Sequence, residues 1–151
     1  MQDIEDFKKS IGRKSRLLGI DPGKKRVGLA ISDEDKLVST PLRTIVKKNN
    51  SDFIKEIKEI IGENNIKGII VGNPINMDGS KGPSAQSAND FAKYLSNNIS
   101  IPVTMWDERL SSEAAFNLSS NLDINTSKKV EKLDQNAASF ILQGAIDYIR
   151  R

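Results

Sequence analysis

"RLLGIDPGKKRVGLAIS", residues 16–32, decides the fold. Two short apolar runs flank the turn residues Pro22-Gly23-Lys24-Lys25, so the stretch reads as two strands joined by a hairpin. Asp21 closes the first run, and Lys24, Lys25 and Arg26 crowd the turn that follows. A carboxylate at the lip of a hairpin, ringed by cations, needs a chemical reason.

The pattern continues outward from this hairpin. "LVSTPLRTI" (37–45) is a third strand, and Pro41 consigns it to a sheet edge or to a bulge. "SDFIKEIKEIIGENN" (51–65) repeats Phe53, Ile54, Ile57, Ile60 and Ile61 at three and four residues, the mark of an amphipathic helix with Ser51 as N-cap. "IKGIIVG" (66–72) is a nearly continuous apolar run, as expected of a strand covered on both faces. The loop "NPINMDGSKGP" follows, then a helix over 84–97, a strand in "IPVTMWDER" (101–109), a helix over about 111–118, a polar loop "SSNLDINTSKK" and a last helix over about 130–149. The order β-β-β-α-β-α-β-α-α predicts an α/β fold. Its mixed sheet has about five strands, an antiparallel meander followed by parallel strands with helical crossovers. Residues 1–15 are polar. Ile4, Phe7 and Ile11 recur at helical spacing, which leaves a short amphipathic helix and a flexible basic arm both open.

Composition limits the chemistry. The chain of 151 residues suits a single domain. It holds no cysteine and no histidine, which removes disulfides, thiolate nucleophiles, Cys-based zinc sites and the commonest general base. Catalysis would rest on carboxylates, hydroxyls, Lys, Arg or a hard oxygen-bound cation. No apolar run approaches a membrane span and no secretory leader opens the chain, so a cytoplasmic protein with no membrane partner is expected. Net charge is +3, but residues 1–50 carry 12 Lys/Arg against 7 Asp/Glu, and the remainder 11 against 13. The basic part is the part containing Asp21, which permits a nucleic-acid partner.

Ligands of open α/β sheets gather at the carboxyl ends of the strands. Three strands end there in polar chemistry: at Asp21, at Gly72-Asn73, and at Asp107-Glu108-Arg109. On the last helix, Val130, Ala137, Ile141, Ala145 and Ile149 share a face, and Asp134 lies near its middle. A carboxylate on a buried stripe is costly unless paired or metal-bound. The alternative is an aspartate in the first turn serving the helix dipole. If Asp21, Glu108 and Asp134 meet, their mutual repulsion is relieved by Mg²⁺ or Mn²⁺. Two such ions support phosphodiester hydrolysis without a histidine. Lys24, Lys25, Arg26, Arg109, Lys128 and Lys129 surround these acids and would hold phosphates. The glycine- and serine-rich loop from 72 to 88 offers backbone N–H groups to phosphate, although its Lys81-Gly82 order is the reverse of a P-loop. Trp106 should share a strand face with Glu108 and pack against a helix, with stacking on a base as its other role.

Four motifs in order, "LGIDPGKKRVGLAISD", "IIVGNPINMDGSKGPSAQSANDFAKYL", "VTMWDERLSS" and "LDQNAASFILQGAIDYI", resemble the YqgF/RuvX family of Holliday-junction-resolvase-like proteins. The resemblance spans about residues 16–150. It implies an RNase H-like domain over 16–151 behind a polar extension at 1–15, and a nuclease that matures the 5′ end of pre-16S rRNA. It also implies a metal site of Asp21, Glu108 and Asp134, with Asp107 competing with Glu108, and substrate contacts from Arg109, Asn73, Asp78 and Gly79. Pre-rRNA, branched DNA and the ribosome or its precursors are the implied partners, and both a monomer and a homodimer remain open. The chain departs from the family's usual pattern at Pro22, Asn73, Ser111 and Ser112, none of which removes an acid. Two rivals stand: a nucleic-acid binder without catalysis, and an ATP-binding protein of the actin-like superfamily. The second normally needs two such domains around a cleft.

Overall fold

The hairpin of residues 16–32 forms two of the three inner strands. The computed structural model describes residues 1–23, 25–73, 83–107 and 126–150, with backbone alone for 83–85 and 126–134. Strand β1 (Arg16–Asp21) pairs antiparallel with β2 (Arg26–Ser32), which pairs antiparallel with β3 (Ser39–Val46). On its other side β1 pairs parallel with β4 (Ile66–Asn73), and β4 parallel with β5 (Val103–Asp107). The sheet order is β3-β2-β1-β4-β5, the expected meander followed by parallel strands. Pro41 lies on the edge strand, and the register slips beside it: Leu29 faces Arg43 and Ala30 faces Pro41. A proline without an N–H is accommodated at such a position.

Four helices flank the sheet among the described residues: α1 (Ile4–Ser10), α2 (Asn50–Asn64), α3 (Pro83–Asn98) and α4 (Thr126–Ile149). Helices α2 and α3 cover one face, where Phe53, Ile57, Ile60, Ala92 and Leu95 pack on Leu18, Ile20, Ile69 and Val71. Helices α1 and α4 cover the other, where Phe7, Ala138, Ile141, Leu142 and Ile146 pack on Leu17, Ala30 and Ile70. Alternate residues of β1 and β4 thus enter different cores, which explains their nearly continuous apolar sequence.

Two helix starts differ from the sequence reading. Asn49, not Ser51, caps α2: its side chain accepts from the Asp52 backbone N–H at 2.8 Å and donates to the Asp52 carboxylate at 2.9 Å. The reciprocal pair starts the helix at Asn50 and leaves Ser51 inside the first turn. Helix α4 starts at Thr126 rather than near 130. Its first turn is polar, so it adds nothing to the apolar periodicity. The helix expected over 111–118 and the loop over 74–82 lie outside the described residues.

The N-terminal segment is a helix, not a free arm. Asp3 caps α1 by accepting from the Asp6 N–H at 2.8 Å. Seven residues cannot hold a helix alone. Burial of Phe7, which is wholly inaccessible, contributes about 2–3 kcal/mol of apolar transfer. Gly68 makes room for it: a Cβ there would lie 2.7 Å from the Phe7 ring. Gln2 extends the sheet past β5, donating its N–H to the Val103 carbonyl and accepting from the Thr104 hydroxyl.

Further along, Lys36 ties this segment to the β2–β3 connection. Its buried ammonium donates to the Arg13 carbonyl at 2.5 Å and reaches the Gly12 carbonyl at 3.4 Å. Burial lowers the Lys36 pKa from the ordinary lysine value, opposed by Asp35 and Asp33. Lys36→Met keeps the stem but strands two carbonyls. It is expected to cost about 1 kcal/mol, the low end for lost buried partners, because it also relieves a buried charge. The midpoint of urea unfolding checks this.

Candidate active site at the carboxyl edge of the sheet

Register brings the three strand ends into one row. Ile20 lies beside Val71, and Val71 beside Met105. One step further along the strands, Asp21, Gly72 and Trp106 share a level, and Asn73 pairs with Asp107 just beyond. Two strand spacings separate β1 from β5, or ~10 Å. Asp21 is half-buried and also pairs with Gly28 of β2.

The pleat assigns each residue to a face. Leu17 and Gly19 face α4, as Leu17 joins its core and a Cβ on Gly19 would meet α4 directly. Asp21 falls on that same face by alternation. On β5, Trp106 packs with the α1/α4 core and Val103 with the α2/α3 core. Asp107 therefore follows Val103, on the face opposite Asp21. Asn73 follows Ile69 and Val71, and its Oδ1 is buried without a hydrogen-bond partner among the described residues.

Helix α4 lies against β1 at Gly19. A Cβ there would lie 2.7 Å from Leu142 Cβ and 3.1 Å from the Ala138 carbonyl oxygen. Asp21 is two residues on from Gly19, ~6.6 Å along the strand. Asp134 is one turn before Ala138, ~6 Å along the helix. Lys128 and Lys129 belong to the first turn of α4.

The hairpin cations divide. Lys25 and Arg26 are exposed, with the Lys25 carbonyl accepting from the Lys47 N–H at 2.7 Å and Arg26 starting β2 opposite Val46. Lys24, Asp78, Gly79, Glu108 and Arg109 lie outside the described residues. Among the described residues no three His, Cys, Asp or Glu side chains come together as a metal site. Trp106 is buried against the Tyr148 ring, 5.5 Å between centroids, as the helix-packing reading expects.

Two positions escaped the sequence reading. Gly19 sets the distance between helix and strand, and a glycine inside an apolar strand is a recognised sign of such close approach. Gln2, beside β5, carried no sequence signal at all.

Comparison with known proteins adds the following. A family model described as "RuvX: Holliday junction resolvase" matches residues 15–148. A protein of Pelagibacter ubique named "Putative pre-16S rRNA nuclease" is 58% identical over 149 residues, covering 99% of each chain. One of Rhodobacter capsulatus with the same name is 41% identical over 144 residues, covering 95% of this chain and 91% of its own. Among solved structures, Thermus thermophilus RuvC in complex with a Holliday junction substrate aligns with a TM-score of 0.54 at 14% identity. That alignment covers 90% of this chain and 95% of RuvC, and shows a shared fold.

Proposed function

We propose, for a chain that belongs to the RuvX family of Holliday junction resolvases, a metal-dependent endonuclease that trims the 5′ end of pre-16S rRNA. The observation that carries this reading is the close contact of β1 with α4 at Gly19, two residues before Asp21 and one helical turn after position 134. Glu108 is the third acid. Asp107 falls on the face of β5 opposite Asp21, which favours Glu108 as the ligand.

The donor set fits Mg²⁺ or Mn²⁺: carboxylate oxygens, in a chain with no histidine or cysteine to attract softer metals. Asp21, Glu108 and Asp134 would hold the ions. Bound there, they would supply an activated water and stabilise the leaving oxygen of phosphodiester hydrolysis. The protein's own contribution is positional. Lys24, Lys25 and Arg26 hold the RNA backbone beside Asp21, and Arg109, Lys128 and Lys129 hold it beside Glu108 and Asp134. Asn73, whose Oδ1 has no partner among the described residues, offers an acceptor to a sugar hydroxyl, and Asp78 and Gly79 are further substrate contacts. No helix among the described residues is long and apolar enough to cross a membrane.

Removing the metal tests the reading. A precursor fragment carrying the 16S 5′ end, incubated with the protein and Mn²⁺, should be cut near the mature end. EDTA should abolish cutting, and excess Mg²⁺ or Mn²⁺ should restore it. Tight binding with no cleavage under any of these conditions would leave a passive binder.

A further inference from the structure

At the carboxyl end of β5, on the opposite side from the hairpin cations, lies a cleft of about 400 Å³, within the usual range for small-ligand pockets. Its walls include Gln2, Asp3, Thr104, Trp106, Asp107 and Tyr148. Trp106 is only 7% exposed, yet its Nε1–H has no hydrogen-bond partner among the described residues. Gln2 Oε1 is likewise buried and without a partner among the described residues. A native fold rarely leaves a buried indole donor and a buried amide acceptor unsatisfied in one place, because each costs about 1–3 kcal/mol.

We propose that this cleft receives one unpaired nucleobase of the substrate, seated against Trp106. The inference rests on the nuclease reading and deepens it by naming what is recognised beside the cutting edge. Three features select a base. The wall is chiefly apolar and carries an indole and a phenol ring, whose faces suit stacking. The two orphaned groups are one donor and one acceptor, and every nucleobase edge offers the complements of both. The charged groups of the wall are the Asp3 and Asp107 carboxylates and the Met1 ammonium, which donates to Ser96 Oγ at 2.9 Å, with no lysine or arginine among its side chains. Two carboxylates against one ammonium favour a neutral ring over a phosphate. A base drawn out of a helix or loop into this cleft would fix the strand in register with Asp21, and the enzyme would favour RNA with unpaired nucleotides at the cleavage point.

Trp106 is the only tryptophan of the chain, so its emission reports on this cleft alone. The test uses the full-length protein in EDTA, where cleavage does not interfere. A short fluorescein-labelled strand of unpaired adenosines is compared with an abasic ribose-phosphate strand of equal length. Both should bind by anisotropy, through the cations, but only the adenosine strand should quench the tryptophan, by about half or more through stacking. Trp106→Phe, which keeps the ring but removes the donor, and Gln2→Met, which removes the acceptor, should each weaken binding of the adenosine strand about three- to tenfold, as expected for one hydrogen bond, and leave the abasic strand unaffected. Equal quenching by both strands, or unchanged emission with the adenosine strand bound, overturns the proposal. Cleavage without quenching would refute the base pocket and leave the nuclease standing, whereas quenching without cleavage in Mn²⁺ would do the reverse.

Discussion

Asp21→Asn is expected to lower cleavage of the precursor RNA by about a thousandfold or more while RNA binding holds or tightens. The size follows from the role: one ligand of a catalytic ion is worth several kcal/mol of transition-state stabilisation, and ~1.4 kcal/mol is a factor of ten in rate. The opposite sign for binding follows from charge. Asp21 is an anion close to Lys25 and Arg26, and neutralising it raises the local potential that attracts phosphates. The fold should tolerate the change, because the residue is the last of its strand and half-buried, and asparagine has the same shape. Parallel measurement of thermal midpoint, anisotropy and cleavage separates the cases. A catalytic ligand loses cutting alone. A structural residue loses all three. A pure binder gains affinity and has no cleavage to lose. Equal cleavage by wild type and variant would end the metal-site account.

How much of this could be read from the sequence follows from which forces act locally. The hairpin, the buried strand over 66–72 and helix α2 were legible because period and turn chemistry are written in consecutive residues. The edge position of β3 was legible because Pro41 lacks an N–H. The identity of the α2 cap was not: Asn49 and Ser51 are both good caps, and the choice depended on Asn49 reaching Asp52 in both directions. The fate of residues 1–15 was equally hidden. Three apolar residues at helical spacing fit an arm or a helix until Gly68 supplies the notch that accepts Phe7. At the site, Asp21, Asp107 and Asn73 could be placed at strand ends from sequence. Their faces could not, since a shift of one residue reverses every side chain, and register is a tertiary property. The meeting of Gln2 and Trp106 in one cleft wall, 104 residues apart in the chain, has no local signature, which is why the cleft emerges from the structure alone.

Gly19→Ala should damage both stability and cleavage without touching any acid. A methyl group at this position would lie 2.7 Å from Leu142 Cβ and 3.1 Å from the Ala138 carbonyl oxygen, so α4 must lift from β1. Overpacking of this kind costs about 1–3 kcal/mol, which for a domain of this size lowers the thermal midpoint by roughly 2–12 °C. The same lift carries the backbone of residue 134 away from Asp21. A misplacement of ~1 Å can cost about a hundredfold in rate, so cleavage should fall by that order at a temperature where the variant is still folded. Leu142 supplies the nearest side-chain atom, and a second change there tells strain from simple loss of packing. Leu142→Ala alone leaves a cavity in a fully buried position and should cost about 2–5 kcal/mol. In the Gly19→Ala background the new methyl occupies part of that space, so the double variant should be more stable than the sum of its parts by about 1 kcal/mol and should recover part of the lost cleavage. Strict additivity in both measurements would show that the helix does not rest on this glycine, and with that the argument that brings Asp134 toward Asp21 would lose its support.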